Sequence, residues 1–285
     1  MINSPFNYTG NKFKLLEQIL PHFKNTETFI DVFTGGGSIY TNVLDKYNNI
    51  IINDIITDLI LLHEKLITNK NYIIQKLNNE LYLEKEDKDK YNLIRENYNN
   101  NYYKDDNYIA FYALLLSCTN NMMRFNNKFK FNQTFGKRFF NSNTEIKLNE
   151  WINSIKKFKG NITYSNKHFS ELNYNIKNSF YYFDPPYGYI KKNKDEIDNK
   201  QISEAGYNCY WKKEDDIKLY NIIIDNNINF AISGLLEHDG KTSWLLNKLK
   251  NDRFNVIELN YDYNKVARNK NDKNSVEVLI TNEKL

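Results

Sequence analysis

The sequence predicts an α/β architecture with a doubly wound sheet of about seven strands, interrupted by a helical and loop insertion. Three observations lead there. Short apolar runs alternate with stretches of helical periodicity, which is the pattern of βαβ units. A glycine cluster, TGGG, directly follows the first such run. A later aromatic run, FYYF, is stopped by Asp184 and the paired prolines Pro185 and Pro186, neither of which can donate to a sheet ladder.

In chain order, apolar positions 13, 16, 20 and 23 make KFKLLEQILPHF an N-terminal helix with a break near Pro21. TFIDVF (28–33) reads as a buried strand, GGGSIYTNVL as the helix after it, and NIIIND (49–54) as the next strand. Residues 56–119 carry a helical pattern that ends in the strongly apolar YIAFYALLLSC. From 120 to 141 periodicity is lost and a basic loop is expected. Strands follow at 161–165, 179–183 and 229–234, with a helix from about 213 between the last two. A helix near 242–251 precedes FNVIEL (254–259) and SVEVLIT (275–281), which close the sheet as a hairpin with a long polar loop. The expected division is a catalytic domain from 1–58 and 142–285, with 59–141 as the insertion.

Composition excludes several classes. Two cysteines, Cys118 and Cys209, allow neither a disulfide framework nor a four-cysteine metal site, and four scattered histidines show no metal-ligand spacing. No metal is expected. MINSPFNYTGNK lacks the apolar stretch of a secretory signal and no run is long enough to span a bilayer, so a cytoplasmic protein, monomeric in the absence of any signal for more, is expected. Lys and Arg exceed Asp and Glu only by 39 to 35, so charge distribution matters more than its sum.

Two constellations carry chemistry. DVFTGGGS (31–38) ends the first strand with glycines that let a ligand approach the backbone, and Asp54 ends the second strand where related sheets bind ribose hydroxyls. Together they suggest an adenosine ligand, and the spacing alone leaves a dinucleotide and a sulfonium nucleoside both open. DPPY separates them. An exocyclic adenine amine is a poor nucleophile because its lone pair is delocalised; Asp184 and the Pro185 carbonyl can accept its two N–H bonds, pull nitrogen toward tetrahedral geometry and aim the lone pair. Pro186 stiffens the turn and Tyr187 can stack on the base. A methyl sulfonium such as S-adenosyl-L-methionine is the fitting electrophile.

At these residues the chain resembles the Dam-type DNA adenine N6-methyltransferases of bacteria and phages. FNYTGNK (6–12), DVFTGGG (31–37), NDI (53–55), NNMMRFNNKFKFNQTFGKR (120–138), YFDPPY (182–187) and LLEHDGK (235–241) look like that family's blocks in its order. The resemblance covers nearly the whole chain and implies a Rossmann-like methyltransferase sheet. It further implies a cofactor pocket lined by Tyr8, Thr9, Gly10, Asn11, Lys12, Asp31, Phe33 and Gly35, with Asp54 on the ribose, Phe169 near the adenine and Asp184 between cofactor and target base. Tyr207 in AGYNCYW matches a family tyrosine that closes over the site.

The segment 120–141 holds Arg124, Lys128, Lys130, Lys137 and Arg138 with no acid, a stripe suited to phosphates. Arg124 and Arg138 match base-reading positions of the family, and arginine can read guanine O6 and N7. Asn126 joins them as a DNA-contacting candidate, and Met122 is expected to fill the gap left by an extruded adenine. Thr134 stands where many relatives have proline, and the segment 188–205 is long and charged; both leave the recognition sequence open. A GA-containing duplex site is expected, GATC first and GATATC next. A cognate restriction endonuclease acting on the same site is the expected functional partner. The competing readings are a catalytically silent DNA-binding relative and a methyltransferase for RNA adenine or a protein amide, families in which NPPY is commoner than DPPY.

Overall fold

In a computed structural model, the structure describes residues 1–6, 8, 10–186, 189–191, 211–238, 240–260 and 275–282. Nine strands occur among them: β1 (Thr28–Asp31), β2 (Asn49–Asn53), β3 (Asn161–Ser165), β4 (Ser179–Phe183), β5 (Tyr189–Lys191), β6 (Asn229–His238), β7 (Lys241–Ser243), β8 (Asn255–Leu259) and β9 (Val276–Thr281). β3, β2, β1, β4 and β6 pair in that order and all in parallel, and β9 enters antiparallel between β6 and β8. All seven expected strands are present, including the closing β8–β9 pair. β5 and β7 are additions: β7 pairs with the far end of β6, and β5 pairs with β7.

The central strands β1 and β4 are buried at every position because helices cover both faces, and side chains along the sheet alternate between two cores. Phe29, Ile50, Ile52, Phe180, Tyr182, Ala231 and Leu279 join one core, whereas Ile30, Val32, Tyr181, Phe183, Phe230, Ile232 and Val278 join the other. The first face carries α1 (Leu16–Ile19), α2 (Thr57–Thr68), α3 (Lys70–Asn79), α4 (Lys88–Asn99), α5 (Asn107–Ser117) and α6 (Ser142–Lys157). The second carries α7 (Lys213–Asp225) and α8 (Trp244–Asn251). No helix among the described residues is long and apolar enough to cross a membrane.

Two local expectations are corrected. GGGSIYTNVL forms only a single 3-10 turn at Tyr40–Asn42. Gly37 sits at φ +75°, the Asn42 side chain takes the Ser38 carbonyl that a helix would use, and the Gly37 carbonyl is shared by Thr41 Oγ1 and Thr41 N–H. The N-terminal region is likewise not one helix but α1 flanked by 3-10 turns at Lys12–Leu15 and Leu20–His22.

α6 was not anticipated, although its signal is present: Asn141 caps it through Thr144 N–H, and Leu148, Trp151, Ile152 and Ile155 form its buried stripe. Trp151 packs on Phe6 and His63 and donates Nε1–H to Thr41 Oγ1 at 3.1 Å. Trp151→Phe should cost about 2 kcal/mol, from one lost buried hydrogen bond and a smaller ring. An unchanged urea midpoint would contradict that packing role.

Candidate active site

β1 lies between β2 and β4, so the strand order reverses there, and a ligand site is expected at the carboxyl edge of that junction. Asp31 ends β1 opposite Tyr182 of β4, Asp54 follows β2, and Asp184 follows β4, which brings three carboxylates to one edge. Strand alternation places Asp31 and Asp184 on the face of Phe29, Phe180 and Tyr182.

That face is capped by Lys12, only 3% exposed. Its Nζ lies 2.8 Å from Asp184 Oδ2 and 3.7 Å from Glu277 Oε1, and donates to the Gly10 carbonyl at 3.3 Å. Ser233, brought beside Asp184 by the parallel register of β4 and β6, donates its hydroxyl to Asp184 Oδ1 at 3.3 Å and lies 2.6 Å from the Tyr182 hydroxyl. Burial pushes the Asp184 carboxyl above its usual range, while Lys12 pulls it back down. The carboxylate is therefore oriented through both oxygens yet keeps 19% of its side chain exposed. Pro185 behind it is buried and Pro186 half-buried.

The glycine loop is built by hydrogen bonds that reach across the sequence. Thr34 Oγ1 donates to the Asp31 carbonyl and accepts from Asn53 N–H, both at 3.1 Å. Asp54 accepts Gly35 N–H and Ile56 N–H, each at 3.0 Å. His63 Nε2 lies 2.9 Å from the Gly35 carbonyl and Nδ1 lies 3.0 Å from the Tyr40 hydroxyl, so a neutral ring donating from Nε2 satisfies both. Gly35 has φ +49°, and a Cβ there would come 2.8 Å from Tyr8 Cε1. Neither Asp31 oxygen has a full hydrogen bond; the Tyr40 N–H gives weak help, while burial and then Asp184 and Asp54 hold the carboxyl well above its usual range.

Beside the loop, the Phe33 and Phe169 rings lie 5.7 Å apart, and Trp211 packs on both at 5.5 and 5.1 Å. Trp211 Nε1 donates to Asp216 Oδ1 at 2.7 Å, and burial pushes Asp216 to about 7. Asn11 accepts Phe13 N–H at 2.8 Å and caps the first 3-10 turn.

The basic segment is more ordered than a loop. Antiparallel bridges Cys118↔Phe135 and Phe125↔Phe131 fold it on itself, and buried Phe131 is tied to α4 by two hydrogen bonds with Asn99 at 2.7 and 2.9 Å. Gly136 runs so close to α5 that a Cβ would meet the Cys118 carbonyl at 2.5 Å. Arg124, Lys128, Lys130, Thr134, Lys137 and Arg138 are exposed, and Met122 and Asn126 are half-buried. The Asn126 side-chain oxygen accepts Lys128 N–H and Lys130 N–H, shaping a tip on which Phe129 stands 64% exposed at φ +55°.

A model of the D12 class N6 adenine-specific DNA methyltransferases matches residues 8–205. The chain belongs to that family. Within it, the chain is 33% identical to the modification methylase StsI of Streptococcus sanguinis, across 99% of this chain and 43% of that protein. It is 30% identical to the type II methyltransferase M.FokI of Planomicrobium okeanokoites, with the same 99% and 43% coverage. The DNA N-6-adenine-methyltransferase of Escherichia phage P1 is 30% identical over 47% of this chain and 18% of its own length. The chain thus spans less than half the length of these relatives.

For this D12 family member, the structure gathers Lys12, Asp31, Asp54 and Asp184 at one sheet edge, with Tyr8 and Gly35 on the loop and Phe33 on Phe169. Thr9, Tyr187, Tyr207 and residues 192–205 of the charged segment lie outside the described residues. Sequence reasoning missed Ser233, Glu277, His63 and the Trp211–Asp216 pair, all of which meet the site only through tertiary folding.

Proposed function

We propose that the chain transfers a methyl group from S-adenosyl-L-methionine to the N6 amine of an adenine turned out of duplex DNA. The carrying observation is Asp184, fixed by Lys12 and Ser233 at the switch point of the sheet and followed directly by Pro185 and Pro186.

The cofactor fits the residues present. A buried Asp31 carboxylate lacking a full hydrogen bond is stabilised by a cationic group such as the ligand's ammonium. Gly35 lets the Tyr8 ring lie directly on the loop backbone, Asp54 keeps lone pairs for ribose hydroxyls, and Phe33 and Phe169 offer apolar faces to a purine. Tyr8, Gly10, Asn11 and Lys12 border the same edge, and family likeness adds Thr9 and Tyr207. Bound there, S-adenosyl-L-methionine supplies a methyl carbon activated by its sulfonium.

Asp184 would accept one N6–H and the Pro185 carbonyl the other, while Tyr187 stacks on the base and Pro186 fixes the turn. The amine must shed one proton as it is alkylated, and Asp184, raised by burial, is the adjacent base. Residues 59–141 would form the target-recognition insertion. In it Lys128, Lys130 and Lys137 would hold phosphates, Arg124 and Arg138 would read guanines, and Asn126 and Thr134 would shape or touch the groove. Met122 would fill the space of the flipped base, and Phe129 stands exposed at the tip of the same segment. The site is GA-containing, GATC first and GATATC next, and the enzyme would protect DNA from an endonuclease with the same target.

Lys128→Ala with Lys130→Ala should weaken binding evenly across sequences and flatten the log–log salt slope by about 2. Arg124→Ala should cost about 1–3 kcal/mol and relax discrimination at one base pair. Equal salt slopes for wild type and double variant would remove the lysines from the interface.

The reading as a whole is tested by incubating duplex DNA with purified protein and methyl-tritiated cofactor, then digesting to nucleosides. Label in N6-methyldeoxyadenosine supports it. Binding of both ligands without label would leave a silent DNA-binding protein, and label on RNA alone would change the substrate.

A further inference from the structure

We propose that Glu277 is a positioning residue for methyl transfer, receiving the Lys12 ammonium when Asp184 turns its Oδ2 to the target amine. This rests on the methyl-transfer reading of Asp184 given above.

Both Asp184 oxygens are already engaged: Oδ2 by Lys12 at 2.8 Å and Oδ1 by Ser233 at 3.3 Å. For Asp184 to accept an N6–H bond, Lys12 has to share or release Oδ2. Release would cost a buried ammonium its nearest anion, because Lys12 is almost wholly enclosed and the Gly10 carbonyl carries no charge. Glu277 removes that obstacle. Its carboxylate is buried and lies 3.7 Å from the same Nζ, close enough to pair and long enough to leave room for closure.

The position of Glu277 follows from the fold. β9 runs antiparallel along β6, with Leu279 opposite Ser233 and Glu277 opposite Leu235, two residues further toward the carboxyl edge of β6. Alternation puts Glu277 on the face of Leu279, within the same core that Lys12 covers. The inserted strand thus brings a second carboxylate to the lysine that holds the first. Lys12 can pass between two anions over a short path and stay paired throughout, so the amine replaces it on Asp184 without leaving the ammonium unpaired, and the positive charge that develops on the alkylated amine is met by Asp184.

The test is a mutant cycle on the full chain. Single-turnover methyl transfer is measured at saturating cofactor and DNA for wild type, Glu277→Gln, Glu277→Asp, Lys12→Gln and the Glu277→Gln/Lys12→Gln double variant. Both ligands' dissociation constants are measured in parallel. Glu277→Gln should slow transfer about tenfold with both dissociation constants within about twofold of wild type, and Glu277→Asp, which keeps the charge, should recover most of the rate. In the Lys12→Gln background the Glu277→Gln change should have almost no further effect, because the acid acts through the lysine. If Glu277→Gln does not fold, Glu277→Asp carries the test through a smaller loss that also vanishes in the Lys12→Gln background. Losses that multiply independently, an unchanged rate in Glu277→Gln, or a loss confined to cofactor affinity would overturn the proposal. A wild-type chain that transfers no methyl group would instead overturn the proposed function, and this inference with it.

Discussion

Asp184→Asn should slow methyl transfer by about two to three orders of magnitude, the scale of losing one preorganised hydrogen-bonding group that acts in the transition state. The amide keeps the shape of the side chain but removes its charge and its proton-accepting capacity. It can also turn NH2 toward an amine that needs an acceptor. The fold should survive, because Lys12 retains Glu277 and the Gly10 carbonyl, and Ser233 retains the Tyr182 hydroxyl. Single-turnover rates at saturating ligands, with thermal melts as control, separate these effects. A rate within tenfold of wild type would remove Asp184 from the chemistry.

The second large effect is on stability. Acidification from pH 7 to pH 4 should remove about 3 kcal/mol through His63, whose ring burial lowers to about 4 from its ordinary 6.5, against a smaller opposing pull from the Gly35 hydrogen bond. As pH falls through 6.5 the unfolded chain takes up a proton that the folded chain refuses until about 4. The contribution is therefore complete above 6.5 and lost across that window. The buried acids act in the opposite sense. Asp31, Asp54 and Asp184 are raised, and Asp216 reaches about 7, so their folded forms bind protons first and gain stability as pH falls.

His63 is thus isolated by comparison with His63→Gln, which keeps a neutral donor for Gly35. The stability advantage of wild type over this variant should shrink by about 3 kcal/mol between pH 7 and pH 4 in denaturant titrations. A pH-independent difference would mean that the ring is not held neutral.

The sheet was legible because its central strands are short apolar runs buried on both faces. TFID and SFYYF are buried at every position, and the prolines after Phe183 mark the carboxyl edge unambiguously. The acids at that edge were legible for the same reason, since Asp31 ends a recognisable strand and Asp54 and Asp184 each directly follow one. β5 and β7 were not, being three residues each and defined by partners rather than pattern. The missing helix after the glycines reflects features that propensity does not register: Gly37 takes a left-handed φ and the Asn42 amide captures the Ser38 carbonyl.

His63 counted in the sequence only as one of four scattered histidines, because Gly35 and Tyr40 meet it only in the folded chain. Glu277 lies in a strand read correctly, yet its meeting with Lys12 depends on β9 inserting between β6 and β8. Local pattern carried the elements and the motif. Long-range pairing decided how the motif is held.

The most direct test of the central claim is single-molecule sequencing of plasmid DNA incubated with the purified chain and S-adenosyl-L-methionine, with Asp184→Asn alongside. The account predicts N6-methyladenine confined to one short GA-containing motif and, at matched short incubation, nearly lost with the variant. Unmodified adenines with the wild-type chain, or the same modification with Asp184→Asn, would contradict it.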